Sequence, residues 1–299
     1  MSQVEVDKII PQSGTTLTVG DSGDTITIPS GATLSNSGTT TIAGNLSVDS
    51  GTIKLDGNYP TGTNNVALGD QALSSGSLSG GNNTAVGSLS LLSNTSGASN
   101  TAVGRCALNA SSLASNNTAI GDRSLLVTTC GNNTSIGASS VRCNTTGENL
   151  VALGVNALFS NTTADNNTAV GFEALKDNTT GTVNTAMGRQ SLQNNTTADG
   201  NTAYGHNTLN TTTTGGCNTA VGGSALFNNT TGANNTAVGI SALVSSTTGD
   251  LNTAVGSCAQ FTSTTAAKSV SIGVYANYRI TTGSRNTSVG YNAGSQLTN

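Results

Sequence analysis

The pattern of apolar and polar residues in this chain repeats about every 17 residues, and each repeat contains a glycine at the same place. The glycines are Gly69, Gly87, Gly104, Gly121, Gly137, Gly154, Gly171, Gly188, Gly205, Gly222, Gly239, Gly256, Gly273 and Gly290. The first interval between these glycines is 18 residues, the fourth is 16, and all the others are 17. The phrase Asn-Thr-Ala-Val-Gly-x-x-Ala-Leu surrounds the glycine, and a Thr-Thr-Gly turn follows it. Such a period predicts a solenoid in which each repeat forms one coil and the fold grows along one axis.

Aligning the repeats on their glycines gives two apolar columns. The Val column directly precedes the glycine and holds Val, Ile, Leu, Met or Tyr. The Leu column lies four residues after the glycine and runs from Leu73 to Leu243. Because these are the only continuous apolar stripes in the repeat, the sequence predicts that both form the core. Two further columns hold small side chains, one beginning with Ala67 and Ala85 and the other with Ala72 and Ser90. Side chains of this size allow two backbones or two sheets to approach closely.

Each repeat predicts a short Thr-Ala-Val strand, a bend at the glycine, a second Ala-Leu segment and a polar turn. Helix is disfavoured because the apolar residues do not recur at helical spacing, and because Thr, Asn and Gly are weak helix formers. The chain is therefore predicted to be all-β, with about 14 coils of about 17 residues in a parallel β-solenoid. At ~4.8 Å between coils, the rod would be roughly 65 Å long.

Two polar columns lead to different expectations. The column four residues before the glycine holds Asn in 12 of 14 copies. Stacked amides can hydrogen-bond from coil to coil, but Asn also favours turns, so both roles remain open. The column directly after the glycine contains Asp122, Phe172 and His206 and follows no chemical rule, so we expect it to face solvent.

The composition is polar, with 8% charged and 3% aromatic residues. Chains rich in Thr, Asn, Ser and Gly are often disordered, but disorder gives no reason for apolar columns to stay in register. A solenoid with thin coils buries little apolar surface per chain. We therefore expect a homotrimer, and the small-residue columns favour three chains packed about one axis.

Residues 1–62 follow a different pattern from the repeats of residues 63–299. Short runs such as Thr16–Val19 and Thr25–Ile28 alternate polar and apolar residues, with Gly, Asp, Ser or Pro at the breaks. This alternation predicts short strands that bury one face. Strands of this length need partners, so a β-strand shaft shared by three chains is expected.

Two resemblances follow from these residues. Asn235–Leu243 reads Asn-Thr-Ala-Val-Gly-Ile-Ser-Ala-Leu and resembles the head repeats of trimeric autotransporter adhesins of the YadA type. That resemblance implies a left-handed parallel β-roll with three chains. The period is longer here, and no counterpart of the family's stalk or membrane anchor is recognised.

The opening segment Val6–Pro29 resembles the start of tail-fibre and other virion proteins of marine bacteriophages. It reads Val-Asp-Lys-Ile-Ile-Pro-Gln-Ser-Gly-Thr-Thr-Leu-Thr-Val-Gly-Asp-Ser-Gly-Asp-Thr-Ile-Thr-Ile-Pro. The resemblance implies a virion structural protein, assembled in the host cytoplasm, that forms a trimeric fibre or appendage. Residues 1–62 would then attach the rod to other virion proteins, with Val4, Val6, Ile9 and Ile10 as the candidate attachment residues.

The sequence does not favour an enzyme, and no cofactor or metal ion is expected. The single histidine, His206, lies in the solvent-facing column, and the acidic residues form no repeated pair. The five cysteines form no CxxC pair, and no column holds a constant Asp for calcium. The low basic content disfavours nucleic acid, and the polar opening and short apolar runs predict neither a signal peptide nor a membrane span.

Charge is unevenly distributed along the chain. No acidic residue follows Asp250, whereas three cations and three of the five tyrosines lie beyond it. We predict that Tyr275, Tyr278, Arg279, Arg285 and Tyr291 contact a host-surface polysaccharide or protein. Capping of the exposed last coil is the alternative role for the tyrosines.

Two other functions are alternatives to the phage fibre. An adhesin head on a bacterial surface is one, although no signal peptide or anchor is recognised. An ice-binding solenoid is the other, suggested by the Thr ladder at Thr84, Thr101 and Thr118. It is disfavoured because an ice-binding face would need two outward Thr columns, whereas Thr here alternates with Ala and a Val expected to be buried.

Overall fold

A computed structural model describes residues 63–75 and 78–298, and these residues form a parallel β-solenoid. Fourteen three-residue strands build one sheet, in which each strand pairs with its neighbours in sequence. The strands are β1 (Val66–Leu68), β2 (Thr84–Val86), β3 (Thr101–Val103), β4 (Thr118–Ile120), β5 (Thr134–Ile136), β6 (Val151–Leu153), β7 (Thr168–Val170), β8 (Thr185–Met187), β9 (Thr202–Tyr204), β10 (Thr219–Val221), β11 (Thr236–Val238), β12 (Thr253–Val255), β13 (Val270–Ile272) and β14 (Thr287–Val289). The predicted all-β solenoid is confirmed. The predicted strands and the attachment residues within residues 1–62 lie outside the described residues.

Every strand pair is parallel and keeps equivalent residues opposite each other. Ala85 pairs with Ala102, and Val86 pairs with Val103. The register also holds across the shorter repeat, where Thr118 pairs with Thr134. Changes in repeat length are therefore absorbed in the turns, and the columns read from the sequence are physical columns in the structure. We number the coils by the strand with which each begins.

The core consists of the Leu column and the two small-residue columns. Leu175, Leu192 and Leu226 have no exposed surface, and neither do Ala169 and Ala186 of the strands. The narrow interior of a typical coil holds one Leu and two small side chains beside buried asparagines, and Gln260 and Asn277 take the Leu position in coils 12 and 13. The prediction for the Leu column is confirmed. The small columns lie inside the chain, so they offer no surface to a second chain.

The prediction that the Val column is buried is wrong. Its members lie on the outer face of the sheet, where Leu153 is 46% exposed and Val221 is 38% exposed. The cause is the alternation of side chains in a strand. Because the central Ala of each strand points into the core, the Thr before it and the Val after it must both point outward.

Each coil turns at three residues with left-handed backbone conformation and at its glycine. In one coil, Glu173, Leu175 and Val183 have φ of 56°, 50° and 58°. The glycines at the bends also have positive φ, and Gly222, with φ of 124°, shows why no side chain fits there. A Cβ on Gly222 would lie 2.7 Å from the carbonyl carbon of Gly239 in the next coil. The constant glycine therefore permits both the bend and the close stacking of coils.

Two asparagine ladders run inside the solenoid. In the first, the backbone N–H and Nδ2 of Asn117 donate to Asn100 Oδ1 at 3.0 and 3.2 Å. Asn100 Nδ2 also donates to the carbonyl of Ala114 at 2.8 Å, which ties the ladder to the neighbouring turn. The column four residues before the glycine thus forms a ladder. The residue before each asparagine of this ladder, such as Asn116, has the left-handed turn conformation.

The second ladder, which we call the inner ladder, was not predicted. Asn161, Asn178 and Asn195 each donate from Nδ2 to the side-chain oxygen of the asparagine one coil earlier, at 3.0, 3.1 and 2.7 Å. Each of these Nδ2 groups also donates to the carbonyl three residues later in its own turn. These bonds pair the buried Nδ2 groups and hold the turns of neighbouring coils in register.

Candidate interaction surfaces

The outer side of the sheet forms the first candidate surface, which we call the Thr/Val face. It carries the first and third residues of strands β1–β14, so each coil contributes one Thr or Val and one larger apolar residue. No residue of these strands is charged. The third residues are half-exposed or exposed along the whole sheet, up to 65% at Val289. The face is therefore a long, uncharged strip with apolar side chains in solvent.

Such a strip is unusual for a parallel sheet. Parallel sheets are normally covered on both faces, whereas this sheet is covered only on its inner side within the described chain. Monomeric soluble proteins rarely expose contiguous apolar patches larger than a few hundred Å². The length of this uncovered apolar strip makes the Thr/Val face a candidate interaction surface.

The second candidate surface is a cleft between coils 13 and 14. Tyr275, Tyr278 and Arg279 of coil 13 line it together with three polar residues of coil 14. The polar residues are Asn292, Ser295 and Gln296. The cleft has a volume of about 370 Å³, and we call it the tyrosine cleft. The structure therefore brings together three of the five residues predicted to bind a host surface.

Stacked aromatic rings hold the tyrosines of the cleft in place. The ring of Tyr278 stacks on Phe261 of coil 12, with centroids 5.2 Å apart and an interplanar angle of 16°. Tyr275 meets Tyr278 edge to face at 5.4 Å and 81°. Tyr291 meets Tyr275 at 6.5 Å, so this fourth ring supports the cleft. Edge-to-face and offset stacked rings attract each other, which fixes the orientation of the two lining tyrosines.

Charge in the cleft is positive and uncompensated. Arg279 Nη1 donates to Gln296 Oε1 at 3.4 Å, and the ion pairs found among the described residues involve only Arg105, Arg123 and Lys176 as cations. The six residues that line the cleft include no carboxylate. Arg279 is exposed, and its guanidinium is free to pair with an anion.

Arg285, the fifth predicted residue, does not belong to the cleft. It is exposed at a turn with φ of 62°, and its backbone N–H donates to the carbonyl of Ala267 at 3.0 Å. Phe261 and the three polar residues of coil 14 were not predicted from the sequence. A signal for Phe261 was present, since Phe261 and Tyr278 occupy the same column of successive repeats.

The single histidine, His206, contacts its neighbours in the column directly after the glycine. Arg189 Nη1 lies 3.0 Å from His206 Nε2, within hydrogen-bond distance, and Arg189 also lies over the ring of Phe172 at 5.9 Å. These contacts tie three neighbouring side chains of the solvent-facing column together. The described part of the chain contains no group of three or more His, Cys, Asp or Glu residues suited to a metal ion. A helix long and apolar enough to cross a membrane is also absent from the ranges that the structure describes.

Comparison of the chain with protein-family models, with curated proteins and with solved structures finds no match. The functional argument therefore depends on the two surfaces and on the resemblances of the repeats and of the opening segment.

Proposed function

We propose that this chain is the rod of a trimeric fibre or appendage of a bacteriophage. The observation that carries the proposal is the uncovered Thr/Val face, which gives the rod a continuous surface for its own copies. The number of chains comes from the resemblance to trimeric adhesin heads, and the virion location comes from the resemblance of Val6–Pro29 to phage structural proteins. A solenoid suits this role because its length grows with each repeat.

The size of the Thr/Val face supports self-association. Thirteen steps between strands, at ~4.8 Å each, and a width of about 10 Å give an area of roughly 600 Å². Two such faces in contact would bury about 1,200 Å² in total, which is the lower end of the range for specific protein interfaces. The regular spacing of the face also favours a second copy, because only a surface with the same repeat can match every coil.

A charge placed on this face should separate the chains without unfolding them. Val221 and Val255 lie outside the core, so Val221→Asp with Val255→Asp should leave the β-rich circular dichroism spectrum unchanged. Light scattering should then change from a trimer to a monomer near 29.4 kDa. Asn228→Asp adds a charge at an exposed position outside the face and should leave the trimer intact. A monomeric parent protein, or a double variant that stays trimeric, would contradict the proposal.

The virion role has a separate test. Deleting residues 1–60 should abolish incorporation into phage particles, because the proposed attachment residues Val4, Val6, Ile9 and Ile10 lie in this segment. Tyr278→Ala with Arg279→Ala should leave incorporation unchanged and reduce adsorption to the host. Mass spectrometry of purified particles measures the first effect, and an adsorption assay measures the second. Incorporation of the deleted chain would place the attachment site within the repeats.

Ice binding is a second candidate function, favoured by one observation. The Thr column, including Thr84 and Thr101, points outward and forms a regular ladder beside an exposed apolar column. The expected burial of Val was part of the reason to disfavour this function, and that expectation is wrong. Thermal hysteresis of the purified variant Val221→Asp with Val255→Asp, compared with the parent chain, tests this function. Activity of the parent chain that the variant loses would favour ice over a second copy as the occupant of the face.

A further inference from the structure

We propose that the tyrosine cleft binds a carbohydrate ring that carries a carboxylate, as in a polysaccharide containing uronic acid. This inference rests on the proposed function only for the source of the ligand, a host surface. It is separate from the Thr/Val face, because none of the residues that line the cleft belongs to strands β1–β14.

The aromatic part of the cleft suits the apolar face of a sugar. Tyr275 and Tyr278, whose rings meet nearly at right angles, both line the cleft and offer aromatic surface to a sugar ring. The negative face of an aromatic ring attracts the weakly positive C–H groups of a pyranose. Phe261 behind Tyr278 keeps this surface in place before any ligand binds. A preorganised surface of this kind lowers the entropic cost of binding.

The polar part of the cleft suits hydroxyl groups. Asn292 and Gln296 each offer an amide donor and an amide acceptor, and Ser295 offers a hydroxyl that does both. Sugar hydroxyls also donate and accept, so they can pair with mixed groups of this type. A purely apolar ligand would leave these groups without partners and lose affinity. The volume of about 370 Å³ lies at the lower end of the range for small-molecule sites, which fits one or two sugar rings.

Charge selects an acidic sugar over a neutral one. Arg279 lines the cleft with no carboxylate partner among the described residues. A guanidinium binds a carboxylate with two parallel hydrogen bonds, which adds affinity and orientation. The weak contact of Arg279 with Gln296, at 3.4 Å, is easily exchanged for this stronger pair. The lining contains no group that would repel an anion.

Binding of trigalacturonate to the full chain, measured by isothermal titration calorimetry, tests this inference, with neutral galactotriose as the reference sugar. Arg279→Gln should weaken trigalacturonate binding at least 10-fold and leave galactotriose binding unchanged. Tyr275→Ala should weaken both. The matched control is Arg142→Gln, because Arg142 also lies over an aromatic ring, 5.5 Å from the centroid of Phe159, but outside the cleft. The control should bind both sugars like the parent chain.

Several results would overturn the inference. Equal losses for Arg279→Gln and Arg142→Gln would show diffuse attraction of a polyanion, and a triglutamate peptide that binds as tightly as trigalacturonate would exclude a sugar site. A parent chain that is trimeric but binds no trigalacturonate would refute the inference and leave the proposed rod intact. A monomeric chain that binds trigalacturonate through Arg279 would support this inference and contradict the proposed trimer.

Discussion

Replacing Thr212 with Asn should stabilise the solenoid, because Thr212 interrupts the inner ladder. In the unbroken part of this ladder, Asn195 Nδ2 donates to Asn178 Oδ1 at 2.7 Å. One coil further on, Asn195 Oδ1 and Thr212 Oγ1 are both buried and have no hydrogen-bond partner among the described residues. The local backbone is equivalent at the two positions, since the N–H of Asn195 donates to Leu192 at 3.1 Å and the N–H of Thr212 to Leu209 at 3.3 Å.

The expected gain follows from the unpaired oxygen. An amide at position 212 can donate to Asn195 Oδ1 and to the carbonyl of Gly215, as its counterparts do in earlier coils. Each hydrogen bond contributes about 0.5–1.5 kcal/mol net, and a buried polar atom without a partner costs about 1–3 kcal/mol. Allowing for a slightly larger side chain, we expect an increase of about 1–2 kcal/mol in the free energy of unfolding. For a domain of this size, each kcal/mol corresponds to roughly 2–4 °C in melting temperature.

Two variants control for the type of substitution, and circular dichroism during urea and thermal unfolding measures all of them. Thr214→Asn makes the same change at an exposed turn position and should stay within about 0.5 kcal/mol of the parent. Asn178→Thr breaks the intact ladder and should cost about 1–3 kcal/mol. If Thr212→Asn destabilises the chain while Asn178→Thr has no effect, the hydrogen bonds of the inner ladder do not stabilise the fold.

Three further predictions concern other columns, and thermal unfolding measures each of them. Gly222→Ala should lower the melting temperature more than Gly290→Ala. Both glycines have positive φ, but a Cβ on Gly290 meets no backbone. Equal losses in melting temperature would show that the close approach of the next coil is unimportant. Val183→Asn should stabilise by about 1 kcal/mol, because Val183 is exposed at φ of 58°, where Asn is tolerated better; a loss of stability would contradict this. Leu226→Asp should unfold several coils, because it buries an unpaired charge. His206→Ala should cost less than about 0.5 kcal/mol. Similar shifts in melting temperature for the two variants would mean that the buried and exposed columns are wrongly assigned.

The sequence was sufficient for the period, the strand type and the Leu column, because these depend on regularities that the repeat shows directly. It misled on the Val column. A column that is always apolar indicates a constant environment, but that environment can be a partner surface as well as a core. The decisive signal was the alternation in Thr-Ala-Val. Only one side of a strand can face so narrow an interior, and the most constant small residue, Ala, occupies it.

Contacts between coils account for what the sequence analysis missed. The asparagines of the inner ladder, such as Asn161 and Asn178, precede the Thr residues of the turns and are easily attributed to turn formation alone. Their role requires knowing that both side chains point inward and meet their equivalents one coil away. The polar wall of the tyrosine cleft was missed for the same reason. Asn292 and Gln296 become neighbours of Tyr275 and Arg279 only when coil 14 is stacked on coil 13.

The distribution of constant and variable columns agrees with the two proposals, assembly through the Thr/Val face and recognition at the tyrosine cleft. Inside most coils, the Leu column and the amide ladders leave little freedom, since any change there is felt by the coils on both sides. The Thr/Val face carries one Thr or Val and one further apolar residue in every coil, although much of it is exposed to solvent. The proposed second copy, with the same spacing, would account for this pattern, because every coil must then match. The columns of the tyrosine cleft vary from coil to coil, so a specific site can form at one position without disturbing the stack.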